Sequence, residues 1–216
     1  MLNRVFQLIK IARKLSTSGA IDTINQIYNL PITIKIFFNF MSIGSQKKTL
    51  NIDKQPGEKL CLALEGMGTT FIKLGQFLAT RPDIIGEELA KNLEKLQDRL
   101  PAFDTYQAKK IIKKEVGDNQ FKNILELSEP IAAASIAQVH IAKIKNEDKN
   151  KEVAIKILRP DIEKLFNEEL DALMLFAYIV ENTFSKAKRL KLVGIVHLLR
   201  EITNIEMDLR FEAAAA

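Results

Sequence analysis

The chain has 216 residues, 47% of them hydrophobic, and a formal net charge of +5. That apolar share supports a sizeable core and excludes wholesale disorder, and one cysteine excludes a disulfide framework and fits a reducing compartment. The absence of tryptophan and of any basic–aromatic platform argues against nucleic acid as a partner; the basic balance suits a solvated surface, anionic lipid or nucleotide phosphate.

In chain order, Leu2, Val5, Phe6, Ile9 and Ala12 follow helical spacing, with Arg4, Lys10, Arg13 and Lys14 largely elsewhere around the axis. A basic amphipathic helix of this kind packs on its own domain or lies in a lipid interface. The apolar window Ile32 to Ile43 is interrupted by Lys35 and Asn39 and is too short to span a bilayer. The N-terminus lacks the pattern of a secretory signal, so a cytoplasmic protein is the expectation.

From Gly57 to Thr80, Leu60, Leu64, Met67, Phe71, Leu74 and Leu78 form one stripe with steps of four and three, which predicts a single continuous helix. Its glycines Gly66, Gly68 and Gly75 each cost about 1 kcal/mol there and call for close approach by something else. Lys73 and Gln76 share a face near the stripe. Arg81-Pro82 breaks this helix, Leu89, Leu93, Leu96 and Leu100 mark the next, and Pro101 ends it. Asp104 with Gln107 predicts a capping box for a third helix, with Gly117 as its C-terminal turn. Cys61 reads as a small buried apolar residue, and His140 and His197 read as ordinary residues without a metal role.

At about Leu125 short alternating runs replace helical periodicity. Strands are expected to end at Pro130 to Ala134, to cover Ile136 to Ile144, and to cover Glu152 to Leu158, with the polar stretch Lys145 to Lys151 as a hairpin loop. Val153, Ile155 and Ile157 alternate with Ala154 and Lys156, so Lys156 points away from the Val/Ile face. In protein kinases a glycine-rich loop covers the nucleotide phosphates, and a lysine on the third strand contacts them and pairs with a helix glutamate. Here Ala132, Ala133, Ala134, Ser135, Ile136 and Ala137 stand at the loop position, followed by Gln138 and Val139, and all eight are candidate nucleotide-binding residues together with Lys156. Each Cβ keeps the backbone from approaching phosphate as closely as glycine allows, and the Ser135 hydroxyl is a candidate phosphate donor.

Asp161 caps a long helix after Pro160, and another starts near Val193 and carries Glu206, Asp208 and Glu212. On one continuous helix Asp208 and Glu212 are close to aligned, whereas Glu206 and Asp208 are not.

The ordered set TFIKLGQFLATRPD, LQDRLP, EPIAAASIAQVH, VAIKILRPDI and EMDLRFEAA resembles the UbiB/ADCK family of atypical kinase-like proteins, from about Lys59 to the end. The resemblance implies an α+β fold: a helical extension before a kinase-like N-lobe. The boundaries expected are residues 1–56 for a basic helical region, 57–124 for the extension, and 125–216 for the lobe. It implies that Lys73 and Gln76 match the KxGQ signature, Ala132 to Ser135 the alanine-rich nucleotide loop, and Lys156 the phosphate-contacting lysine. It implies further that Glu206 and Asp208 match the ExD signature that latches Lys73, and that Glu212 is the helix glutamate that pairs with Lys156.

The implied function is ATP binding, with ATPase or kinase activity on a small molecule or protein, in support of ubiquinone biosynthesis at the inner membrane. The alternative is a non-catalytic membrane-associated scaffold for quinone-biosynthesis proteins. A catalytic loop and metal-binding segment do not follow Glu212, so the expectation is a fragment or split gene product lacking its C-lobe. Magnesium is then expected only in a longer protein, and a separate C-terminal half is a candidate partner.

Overall fold

The computed structural model describes residues 2–28, 30–44, 54–96, 100–146 and 149–215. Their helices and strands run α1 Leu2–Thr17, α2 Ala20–Tyr28, α3 Ile32–Met41, α4 Pro56–Met67, α5 Thr69–Ala79, α6 Pro82–Ile85, α7 Glu87–Leu93 and α8 Thr105–Phe121. Then follow β1 Ile124–Leu127, β2 Ala132–Ala133, β3 Ala137–Ile144, β4 Lys151–Leu158, α9 Ile162–Thr183, α10 Leu192–Met207 and α11 Leu209–Ala215. The chain is α+β. It divides into two compact units that are discontinuous in sequence: Met1–Gln97 with Lys164–Glu206, and Asp98–Glu163 with Met207–Ala216.

The first unit is helical. Met67, Phe71, Ile72, Leu93, Phe166, Leu170 and Leu199 are its most enclosed large side chains. The predicted single helix over Gly57 to Thr80 is instead two helices that meet at Gly68, where φ is +98°. Side chains at steps of three and four report burial, not backbone continuity, and a glycine that tolerates positive φ lets the chain turn between two buried segments. Gly75 does meet a close neighbour: a Cβ there would run into the Cδ1 atoms of Leu96 and Leu64. The helix expected over Leu89 to Leu100 stops at Leu93, and Leu96 is buried just beyond it.

Among the described side chains of α1, Ile11, Ala12 and Ser16 are buried, while Phe6 and Ile9 face solvent beside Lys10 and Arg13. The side chains of Leu2 and Val5 lie outside the described residues. On α3 only Phe38 is buried.

The second unit centres on the antiparallel sheet, in which β3 pairs with β1 and β2 along one edge and with β4 along the other. The first strand occupies the expected stretch but is broken in two, β1 and β2. Pro130 has no N–H to offer, yet Ser128 N donates to Ile141 O at 2.9 Å and Ile131 N to Val139 O at 2.8 Å, so the chain stays seated between the pieces. Ile157 packs with Ala108 and Ile112 of α8, and Phe103, Ile111, Phe121, Ile124, Leu127 and Ile155 close the cluster. At the start of α8 the Asp104 carboxylate accepts from the amide of Tyr106. Gly117, at φ +80°, interrupts the helix as a turn residue should.

Candidate nucleotide-binding site

Strand register decides which side chains share a face. Ala132 pairs with Val139, and Val139 with Lys156, so these three form a row across β2, β3 and β4. Ile141 and Ala154 form the next row on that face. Gln138 with Ile157, and His140 with Ile155, belong to the opposite face, which packs on α8. Lys143, Glu152 and Glu126 continue that face, with Lys143 paired to Glu126 at 2.8 Å, so Lys156 is the cation at the end nearer the alanine loop, with Ala154 and Ile141 between it and the charged rows.

Lys156 Nζ donates to Glu212 Oε2 at 2.5 Å. Lys156 comes from β4 and Glu212 from α11, and both belong to the second unit. Glu212 is more than half exposed and Lys156 about a third, so the pair remains open to a bound anion. The route to this contact differs from the expected one. The last helix is not continuous: α10 ends at Met207, Asp208 stands between, and α11 begins at Leu209. Asp208 caps the new helix, accepting from Arg210 N at 3.2 Å and Arg210 Nε at 2.7 Å. The guanidinium holds the Asp208 carboxyl below the ordinary carboxylate range. The alignment of Asp208 with Glu212 read from helical arithmetic therefore does not apply.

In the first unit, Lys73 Nζ of α5 lies 2.9 Å from Glu206 Oε2 of α10. Lys73 is mostly buried, so this pair is shielded from solvent more than a typical surface ion pair. Gln76, three residues on, is partly buried on the same helix.

The alanine-rich loop differs from expectation in its polar members. Ser135 is fully enclosed, 0% exposed, so in this arrangement its hydroxyl does not face a solvent-borne phosphate. Ile136 and Ala137 are also buried. Gln138 is 1% exposed and turned inward: its Oε1 accepts from Phe103 N at 2.8 Å, and its Nε2 donates to Phe103 O at 3.1 Å. His140, equally buried, lies 2.8 Å from Gln138 Nε2 and 2.7 Å from Ser128 O. With Gln138 as donor to Nε2, Nδ1–H of His140 donates to the carbonyl. Gln138 and His140 are thus internal braces. Ala132, Ala133, Ala134 and Val139 keep some exposure and are what the loop presents.

Sequence reasoning missed Arg159. Its Nε and Nη2 donate to Ala134 O at 3.0 and 2.7 Å, Nη1 donates to Pro101 O at 3.0 Å, and Nη2 reaches Leu100 O at 3.3 Å. Its own amide donates to Ile136 O at 2.8 Å. One side chain thus ties the alanine loop to the segment before α8. Its position directly after the VAIK strand, before Pro160, was the available signal.

Residues 95–216 match the ABC1 atypical kinase-like domain. The chain belongs to the ABC1 atypical kinase-like family. It is 39% identical over 199 residues to a protein named "Probable protein kinase UbiB" from Marinobacter nauticus, an alignment covering 91% of this chain and 35% of that one. A protein of the same name from Vibrio atlanticus is 40% identical over 172 residues, covering 78% of this chain and 31% of the relative. Another from Vibrio parahaemolyticus is 33% identical over 216 residues, covering 100% and 38%. This ABC1-family chain therefore spans about a third of the length of the curated relatives it matches. No solved structure matches it.

For a nucleotide, the residues present fit in part. The row Ala132, Val139 and Lys156 offers flat apolar surface with a cation at its end, which suits a base and its phosphates. No group of three or more His, Cys, Asp or Glu that could hold a metal ion occurs among the described residues. No helix among them is long and apolar enough to cross a membrane.

Proposed function

We propose that this chain supplies the phosphate-orienting half of an ATP-dependent, kinase-like protein that serves ubiquinone biosynthesis. The observation that carries this reading is the Lys156–Glu212 pair at 2.5 Å on the open face of the sheet. A strand lysine held by a helix carboxylate is the arrangement that positions nucleotide phosphates in kinase-type sites. Glu212 aims the ammonium, and Lys156 makes the phosphate contact. Ala132 and Ala134 cover the nucleotide, and Arg159 fixes the loop that carries them. ATP supplies the transferable phosphoryl group, and a magnesium ion, where required, takes its ligands from residues other than these. The Lys73–Glu206 pair holds α5 in place within the helical unit.

The test is ATP-dependent stabilisation of this chain. With ATP at about ten times its dissociation constant, the unfolding midpoint rises by roughly 3–5 °C. Lys156→Met abolishes the rise while leaving the ligand-free midpoint within about 2 °C, because an exposed ion pair contributes about 1 kcal/mol or less. Glu212→Gln weakens the response without removing it. An equal ATP response in the native chain and Lys156→Met refutes the assignment.

A second reading, a seat on an anionic membrane, draws on α1 and α3. Ile32, Ile36 and Phe40 stand one turn apart on α3, and each is more than 60% exposed. Phe6 and Ile9 of α1 are exposed too, beside Lys10 and Arg13. Apolar side chains next to cations suit an anionic lipid interface and a peripheral position at the inner membrane. Flotation with phosphatidylglycerol vesicles, lost in Ile36→Asp/Phe40→Asp, is the expected result. Unchanged flotation of that variant removes this surface from consideration.

A further inference from the structure

The two edges of the sheet differ. Ser128 N donates to Ile141 O and Ile131 N to Val139 O, so odd-numbered residues of β3 turn their backbone groups toward β1 and β2, and even-numbered ones toward β4. In register, Gln138 meets Ile157, His140 meets Ile155 and Ala142 meets Val153, so the odd-numbered residues of β4 bond to β3. The N–H and C=O groups of Glu152, Ala154, Lys156 and Leu158 therefore point off the outer side of β4. Among the described residues no strand pairs there, and no backbone hydrogen bond reaches these four.

Sheet edges are ordinarily blunted by proline, bulges or short strands. The β1–β2 edge has such protection: its register shifts between Ile124 and Glu126, and Pro130 stands in the break. The β4 edge lacks it. Lys151–Leu158 runs eight residues in unbroken register with β3 and contains neither proline nor glycine. Val153, Ile155 and Ile157 give it strong strand preference. Glu152 and Ala154 are exposed. The charges on this edge are of opposite sign and stand symmetrically, two residues either side of Ala154: Glu152 before it and Lys156 after it.

We infer that the β4 edges of two copies of this chain pair antiparallel about a two-fold axis at Ala154. Glu152 then faces the second copy's Lys156, Ala154 faces Ala154, and Lys156 faces Glu152, and each of these three pairs exchanges two backbone hydrogen bonds. Val153 faces Ile155 on the other side of the sheet, a β-branched pair made twice. Charge fixes the register. Glu126 already pairs with Lys143, and Lys143 stands opposite Glu152. The second copy's Lys156 completes a row of alternating sign. The neighbouring registers that also match outward groups to outward groups set Glu152 against Leu158 or Ala154 and lose both ion pairs. The Lys156 ammonium has three donors, so its bond to Glu212 leaves room for the second carboxylate. An isologous contact of this kind closes as a dimer and leaves no β4 edge open. All its residues lie in the second unit, and it does not rest on the nucleotide reading.

The experiment is sedimentation equilibrium of the whole chain without nucleotide, from about 1 to 100 μM, the range that a small edge interface calls for. The mass rises with concentration from 24.4 kDa toward twice that value. Ala154→Pro removes an outward N–H and leaves the β3 ladder intact, and it raises the dissociation constant about tenfold or more. Glu152→Lys sets lysine against lysine twice and has a similar effect, and adding Lys156→Glu restores association to within about threefold of the native chain. Glu115→Lys, the same charge change on an exposed position of α8, shifts it less than about twofold. A chain that stays monomeric throughout leaves the edge to a strand of another protein and overturns the proposal. A dimer insensitive to Ala154→Pro or Glu152→Lys, or weakened equally by Glu115→Lys, overturns it too. Amide exchange of the unaltered chain gives a readout free of substitutions. Between about 5 and 100 μM the amides of Glu152, Ala154 and Lys156 slow about threefold, while Val153 and Ile155, already bonded to β3, change less than about twofold. Exchange at the first three that ignores concentration refutes the pairing, and none of these results depends on whether ATP binds.

Discussion

The guanidinium of Arg159 donates twice to the carbonyl of Ala134, at 3.0 and 2.7 Å. Without glycines the alanine loop has little backbone freedom, and its course is set from outside by a side chain at the end of β4. Because Lys156 lies three residues earlier on that strand, loop and lysine are fixed to one scaffold.

Replacing Arg159 by leucine releases the loop and orphans the carbonyls of Ala134 and Pro101. We expect a loss of roughly 1–3 kcal/mol in stability. Amide hydrogen exchange over Ala132 to Ala137 speeds up by more than the global loss explains. Lysine at this position rescues only partly, since a single ammonium cannot reproduce a planar fork spanning Ala134, Pro101 and Leu100. Unchanged exchange in the loop would show that Arg159 does not hold it.

What the sequence made legible, and what it did not, follows from the range of each signal. Lys156 is placed by a two-residue period over a short strand, so its face could be read directly. The partner Glu212 was accessible only through family resemblance, because helical arithmetic assumed a continuous helix and the chain breaks at Asp208. Gln138 follows the alanine loop directly and is expected from the sequence to bind nucleotide with it. It turns inward because the unpaired backbone of Phe103 needs both of its amide functions. On α1 helical spacing alone left packing and interfacial contact both open, because period does not say which apolar positions meet the domain; Ile11 and Ala12 do, and Phe6 and Ile9 stay exposed.

That inward bracing by Gln138 has a measurable cost when removed. Gln138→Leu keeps approximate volume but leaves Phe103 N–H, Phe103 O and His140 Nε2 without their partner. A loss of about 2–4 kcal/mol in denaturant unfolding is expected, with ATP affinity changed less than twofold when measured well below the unfolding midpoint. A drop in affinity without a drop in stability would return Gln138 to the nucleotide site.

Lys73 and Glu206 meet at 2.9 Å within the helical unit. A double-mutant cycle with Lys73→Met and Glu206→Gln should give a coupling of roughly 0.5–1.5 kcal/mol, above the usual surface value because Lys73 is mostly buried. A coupling near zero would show that the two residues are only neighbours.

Gly75→Ala sets two effects against each other. Alanine is favoured in a helix interior by about 1 kcal/mol. Its Cβ, however, falls on the Cδ1 atoms of Leu96 and Leu64, and overpacking of this kind costs typically 1–3 kcal/mol. The net expectation is destabilisation of up to about 2 kcal/mol. Leu96→Ala in the same chain opens the space and converts the Gly75→Ala change to neutral or stabilising. A stabilising effect of Gly75→Ala alone would mean that Leu96 yields freely.

Burial pushes the Cys61 thiol up to about 11, with Glu65 adding to the effect. The side chain sits against α7, with Sγ donating to Asn92 O at 3.0 Å. In the unfolded chain the thiol ionises near its ordinary value of about 9. Between about pH 9 and 11 the unfolded state therefore binds fewer protons than the folded one, so stability falls with rising pH in that window. The contribution is complete below pH 9. Cys61→Ala should flatten this part of the pH–stability curve while leaving the curve below pH 8 parallel to that of the native chain. At pH 8 the native thiol should react with a thiol reagent only through opening, at a rate that follows local unfolding and not thiolate content. Fast, stoichiometric labelling under native conditions would contradict both the burial and the raised ionisation.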